Sequence, residues 1–180
     1  MLVGERLRLF YALTFDDAVQ EEIAQLQELL RAQRYRGRLV RQDNLHLTLD
    51  FIGEVKDDGK VEILKQQLLG LPDMPNTLTL AGFGRFKQGL VWARVVEDPS
   101  LHQLQSDLRA RLINLGFSIE DREYRPHITL GRNLRLKVPV SELNGPEMRV
   151  APKAVALMQS THLNDRLVYR PVAQILLDKQ

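Results

Sequence analysis

Cysteine is absent from the 180 residues. That removes disulfides, thiolate nucleophiles and zinc–cysteine centres, and makes a reducing cytoplasm the expected compartment. Long apolar runs are missing too: none approaches the roughly 20 residues a membrane helix needs, so no membrane partner is expected. The opening MLVGERLRLF carries Glu5, Arg6 and Arg8 inside its apolar stretch and lacks a small-residue cleavage site, so it does not read as a signal peptide. The net charge of +2 is too small to argue for nucleic acid by itself, and histidine occurs only four times. What is present is an ordinary globular balance, 44% apolar and 27% charged, which excludes disorder and collagen-like architectures. The length suffices for one compact domain, or for two small lobes sharing one core.

Charge distribution says more than net charge. Eighteen of the 25 basic residues are arginine, whose planar fork matches phosphate. Five lie in RAQRYRGRLVR (Arg31, Arg34, Arg36, Arg38, Arg41), and Arg122, Arg125, Arg132 and Arg135 form a second group. One such run alone reads as a solvated face. Here the two groups flank two copies of one motif, which favours contact with phosphate.

Periodicity organises the rest. RLRLFYALTF alternates and predicts a strand; Asp16 and Asp17 cap a helix carrying Val19, Ile23, Leu26, Leu29 and Leu30, and Gly37 ends that segment. A strand follows, centred on Leu45 to Ile52. Asp57 and Asp58 open a second helix, stopped by Gly70 and Pro72. NTLTLAGFGRF and GLVWARVV predict two strands joined near Lys87 to Gly89. Asp98-Pro99-Ser100 opens a third helix, closed by Gly116. YRPHITLGR is a strand entered through Pro126, residues 138–146 a loop, and PKAVALMQS with RLVYRPVAQILL a hairpin around HLND, 162–165. Each half reads strand, helix, strand, with a period near 80 residues. The expected fold is α+β: one domain over 1–180, built as two pseudo-two-fold lobes from duplicated halves, roughly 1–90 and 90–180. Two mostly antiparallel sheets would face a central cleft, with helices outside.

The duplication has a chemical signature. His46-Leu47-Thr48-Leu49 recurs eighty-one residues later as His127-Ile128-Thr129-Leu130. Alternation along a strand puts His46, Thr48 and Asp50 on one face and Leu47, Leu49 and Phe51 on the other. In the second copy His127, Thr129 and Gly131 share a face, opposite Ile128 and Leu130. If the lobes face each other, two imidazoles and two hydroxyls meet across the cleft. Phosphodiester chemistry without a metal asks for that set: a neutral imidazole to take a proton, a charged one to give it, and hydroxyls for the non-bridging oxygens. Gly131 would leave room for phosphate against the backbone. A zinc site is the rival, but His46 and Asp50 lack the further His or carboxylate ligands such a site uses.

These motifs resemble those of the two-histidine (2H) phosphoesterases, most closely the RNA 2′,3′-cyclic phosphodiesterase branch, formerly called 2′-5′ RNA ligases (LigT-like). The resemblance runs through RLFYAL, NLHLTLDFIGEV, VWARV, YRPHITLGR and STHLNDRLVYRPV, nearly the whole chain. It implies opening of a terminal 2′,3′-cyclic phosphate to a 2′-phosphate, with no metal or other cofactor. It implies His46 as proton donor to the departing 3′ oxygen, His127 as the base that activates water, and Thr48 and Thr129 as holders of the phosphate. The implied partners are RNA ends or nucleotides bearing a cyclic phosphate, with tRNA fragments among them, and the expected state is a monomer. The reverse reaction, 2′-5′ joining of RNA ends, and a binding module without turnover are the alternatives.

Strand parity places Arg125 with His127 and Thr129, and Arg132 opposite to them; both are candidate substrate contacts. Phe10, Phe51, Phe83, Phe86 and Trp92 could stack on a base. Alternation buries Phe51 with the leucines; Phe83 and Phe86, in the Gly-flanked GFGRF turn, are the better candidates. His102 and His162 are assigned no catalytic role.

Overall fold

A computed structural model describes residues 6–177. Residues 1–5, Glu5 of the opening stretch included, and residues 178–180 lie outside the described residues. The first alternating segment forms β1 (Leu7–Thr14), buried on both faces from Leu9 to Leu13. Asp16 then caps α1 (Asp17–Gln33), its carboxylate accepting from the Val19 N–H at 3.0 Å. Ile23, Leu26 and Leu30 form the buried stripe of α1. The chain does not loop after α1 but forms β2 (Arg34–Leu39), a strand the sequence reading did not predict. Gly37 sits inside it at φ 93°, not at a helix end; a Cβ there would meet the Asn133 carbonyl oxygen at 2.2 Å.

A short 3-10 turn (Gln42–Asn44) leads into β3 (Leu47–Val55). Asp57 caps α2 (Asp58–Gln66), and β4 (Leu78–Phe86) and β5 (Leu90–Val95) pair through the Lys87–Gly89 turn. Asp98 caps α3 (Pro99–Asn114). The second motif strand is β6 (His127–Leu136); β7 (Met148–Val150), also unpredicted, follows the loop. The closing hairpin is β8 (Ala154–Leu163) and β9 (Arg166–Leu176), turned by Asn164 and Asp165, both at positive φ. His162 is therefore on a strand, one residue before the end of β8.

The strands are antiparallel throughout and the fold is α+β, as expected. The order is β7-β4-β5-β6-β3-β1-β8-β9, with β2 added on β6. The two expected sheets join at one pair, Leu47 opposite Ile128. The expected division near residue 90 does not follow the sheet. β1 and β3 pair with each other and β1 with β8, so both halves build one side; β2 and β4 from the first half and β5, β6 and β7 from the second build the other. α1 packs on β2 and β6, and α2 and α3 on β3. Leu47, Leu49, Ile128 and Leu130 are 0–2% exposed in the common core. The motif strands thus send their leucines under the helices and leave the imidazoles on the other side.

Candidate active site

Both motif strands break alternation at the same place. Along β3, Tyr11 faces Asp50 and Ala12 faces Thr48, so the ladder skips Leu49. Along β6, Val91 faces Gly131 and Trp92 faces Thr129, so it skips Leu130. Each motif contains a β-bulge, and a bulge reverses strand parity beyond it. Two consecutive residues are buried at each: Leu49 and Asp50, Leu130 and Gly131. The fifth residue after each histidine then returns to the histidine's side. That residue is Phe51 in one motif, 55% exposed, and Arg132 in the other.

This overturns three expectations from strict alternation. Phe51 belongs to the imidazole face, not with Leu47 and Leu49. Asp50 does not share the face of His46 but the side of Tyr11: its buried carboxylate, at the margin of the cleft, takes two bonds from Arg109 of α3, at 3.0 and 3.1 Å, with Gln105 Nε2 at 3.5 Å. Gly131 makes no room for phosphate; a Cβ there would strike the Leu134 side chain at 2.4 Å and the Arg38 carbonyl at 3.2 Å. The backbone groups near the bulges are satisfied from outside the ladder. Leu130 O accepts from Val40 N–H and from the buried Gln27 amide, both at 2.9 Å, and Thr48 O accepts from the Tyr124 hydroxyl at 3.1 Å.

The imidazoles are anchored alike. His46 Nδ1–H donates to Asn44 O at 2.7 Å, and His127 Nδ1–H to Arg125 O at 2.6 Å. A carbonyl only accepts, so Nδ1 carries the proton and the neutral ring keeps Nε2 as an acceptor. Thr48 Oγ1 lies 3.0 Å from His46 Nε2. Two aromatic rings flank each imidazole: Phe10 and Tyr169 at 5.1 and 4.9 Å from His46, Phe86 and Trp92 at 5.1 and 5.7 Å from His127. Burial among these rings depresses both imidazoles, His46 to about 4. The carbonyl bonds oppose that shift; the Arg132 charge adds to it at both rings.

His46, Thr48, Arg125, His127, Thr129 and Arg132, the six residues expected in the site, all line one cleft of about 820 Å³. Arg125 is held by Glu123 at 3.0 Å, whereas Arg132 is in no ion pair among the described residues. Of the aromatic candidates, Phe10, Phe51 and Phe86 line the cleft; Phe83 packs on the core instead, because the β4–β5 ladder is also irregular between Leu80 and Phe83. His162 lines the cleft and His102 packs on Tyr124, outside it. Sequence reading missed Tyr169 and Asn44. Asn44 is 7% exposed; its amide donates to Leu167 O at 2.8 Å and accepts from Tyr169 N–H at 3.4 Å, so it ties β9 to the turn that anchors His46. No local pattern announces a contact spanning more than 120 residues. Among the described residues, no three His, Asp or Glu side chains are grouped to hold a metal ion, and no helix is long and apolar enough to cross a membrane.

An antiparallel α+β fold with paired, anchored imidazoles over one cleft defines a two-histidine phosphoesterase architecture. Residues 15–160 match the family model of the 2′-5′ RNA ligase superfamily, and the chain belongs to that family. It is similar to the RNA 2′,3′-cyclic phosphodiesterase of Methanocaldococcus jannaschii, 34% identical over 70% of this chain and 71% of the relative. It is also similar to the protein of that name from Escherichia coli K12, 31% identical over 94% and 96%. The crystal structure of Escherichia coli LigT with 3′-AMP superposes with a TM-score of 0.81 at 30% identity, covering 97% of this chain and all of that one. The chain is an enzyme of the phosphodiesterase class.

Proposed function

We propose that the protein opens RNA 2′,3′-cyclic phosphates to 2′-phosphomonoesters by general acid–base catalysis between His46 and His127, without a metal. The observation that carries this reading is the matched anchoring: each Nδ1–H is committed to a carbonyl, leaving each Nε2 to exchange a proton with substrate. Water attacks phosphorus while His127 Nε2 takes its proton. The bond from phosphorus to the 3′ oxygen breaks, and His46 gives that oxygen a proton. Water is consumed and the proton inventory balances, with the roles of the two imidazoles exchanged at the end. In the free protein both rings are depressed, which suits the base. The acid needs its proton with substrate bound: burial is the main cause of the His46 depression, and an anionic phosphodiester in the cleft both favours the charged imidazole and offsets the smaller contribution of Arg132. Thr48 and Thr129 donate to the non-bridging oxygens, where charge develops. The same reading takes the protein as a cytoplasmic monomer acting on RNA ends, tRNA fragments among them.

The test is hydrolysis of 2′,3′-cyclic AMP after exhaustive chelation, with the product identified. Metal-independent turnover to the 2′-phosphate is expected. A 3′-phosphate product, activity restored only by added zinc or magnesium, or binding without turnover would overturn the proposal.

A further inference from the structure

Arg36 of β2 lies directly opposite Arg135 of β6, and Arg38 opposite Arg132. Like charges at opposed positions of an antiparallel pair destabilise it. All four side chains are exposed, and among the described residues none is in an ion pair. Some exposed arginines of the chain do meet carboxylates, Arg6 with Glu54, Arg31 with Glu28 and Arg122 with Glu120, but the four on the ribbon face one another instead. Among the described residues no carboxylate compensates the repulsion on the ribbon, so an anion from outside is its natural complement. Arg132 also lines the cleft, which makes ribbon and cleft one continuous surface. From Thr129 to Arg135 the strand extends about 20 Å, well beyond one nucleotide. Tyr35, between Arg34 and Arg36, is 67% exposed, an aromatic among cations. Alternating cations and π-faces are how single-stranded nucleic acid is held without sequence preference.

We propose that the β2–β6 arginine ribbon is a track for single-stranded RNA, gripping the backbone of the nucleotides that lead up to the cyclic end. The proposal rests on the reading of the cleft given above. It makes the protein prefer an RNA terminus to a free cyclic mononucleotide, because only the longer chain reaches the ribbon. Contacts are to phosphates, so they position the strand and do not read its bases.

The test compares the full chain with R36A/R38A/R135A, leaving Arg132 of the cleft intact. Substrates are 2′,3′-cyclic AMP and an RNA of about eight nucleotides ending in a 2′,3′-cyclic phosphate. For the RNA, KM should rise roughly tenfold, and the dependence of log KM on log salt should flatten by about 2, near 0.7 for each arginine. For the mononucleotide neither should change. The variant should melt no lower than wild type, since it relieves like-charge repulsion. Tyr35→Ala should weaken RNA binding without altering the salt slope. Equal losses on both substrates, or an unchanged RNA slope, would overturn the track. If wild type hydrolyses neither substrate, the proposed reaction fails by itself. Fluorescence anisotropy of the labelled RNA then decides the ribbon: weaker binding by the variant supports it, and equal binding overturns it.

Discussion

Asp50→Ala should cost stability and leave the chemistry nearly intact. The carboxylate is 5% exposed, and the Arg109 side chain that meets it 20%. Two parallel bonds of 3.0 and 3.1 Å join them, and the same guanidinium holds Arg122 O at 3.0 Å, tying α3 to the segment before His127. Removing one member of a buried ion pair strands the other, at roughly 3–5 kcal/mol. Arg109 keeps some access to water, so the low end applies, about 3 kcal/mol. For a chain of this size that lowers Tm by roughly 6–12 °C. Arg109→Met on top of Asp50→Ala should recover most of the loss, because no unpaired charge then stays buried. Urea unfolding with an unchanged m-value, read beside kcat on a cyclic nucleotide at 20 °C, makes the comparison. Asp50 and Arg109 both line the cleft, so a variant that melts within about 2 °C of wild type while kcat collapses would refute the structural role and give Asp50 a part in the chemistry.

His46→Ala and His127→Ala should each lower kcat by about 10² to 10⁴, and the double variant by far less than the product of the two; near-wild-type turnover in either single variant removes its role. Both limbs of the kcat/KM profile should lie on the acid side of 6.5: the acid form is lost as pH rises through His46's value of about 4, and the base form as pH falls through His127's lowered one. The kcat profile should extend to higher pH, since bound anion raises the acid, and a kcat/KM optimum above pH 7.5 would contradict the assignment. Thr48→Ser and Thr129→Ser should keep most activity where Thr→Val loses about 3 kcal/mol of transition-state stabilisation; active Val variants would mean the threonines serve the strand alone. Asn44→Ala should destabilise by about 2 kcal/mol, and Asn44→Asp by more, because an oxygen then faces Leu167 O. Equal melting of wild type and Asn44→Asp would show that the clamp contributes nothing.

The three capping aspartates, the leucine stripes and the doubled motif were legible because each is a local signal, complete within a few residues. What failed was whatever depended on a partner far along the chain. Phe51 and Asp50 were assigned to the wrong faces because alternation assumes an unbroken ladder, and the bulge is visible only against Tyr11 and Ala12 of β1. Arg132 reaches the cleft for the same reason, through a register set by β5. β2 was unreadable because RYRGRL has almost no apolar face; it is a strand because β6 offers it an edge. The division into halves failed because strand pairing joins β1 to β8 and β4 to β7, over separations that periodicity does not sense.

That interleaving governs how the molecule is made. β1 needs β8 on its second edge, and about 140 residues separate them. At a synthesis rate of roughly 5–20 residues per second, β1 waits about 7–30 s for its partner. Its sequence LRLFYALT is apolar enough to recruit a stray strand during that interval. A ribosome halted before residue 154 therefore displays an open, adhesive β1 edge, and a chain cut near residue 90 leaves two fragments that each lack the other's strands. Refolding from denaturant should be slow and concentration-sensitive, in keeping with contacts of such high order. The cleft is the last part to close, because Tyr169 and the Leu167 carbonyl that steadies Asn44 arrive with the final strand.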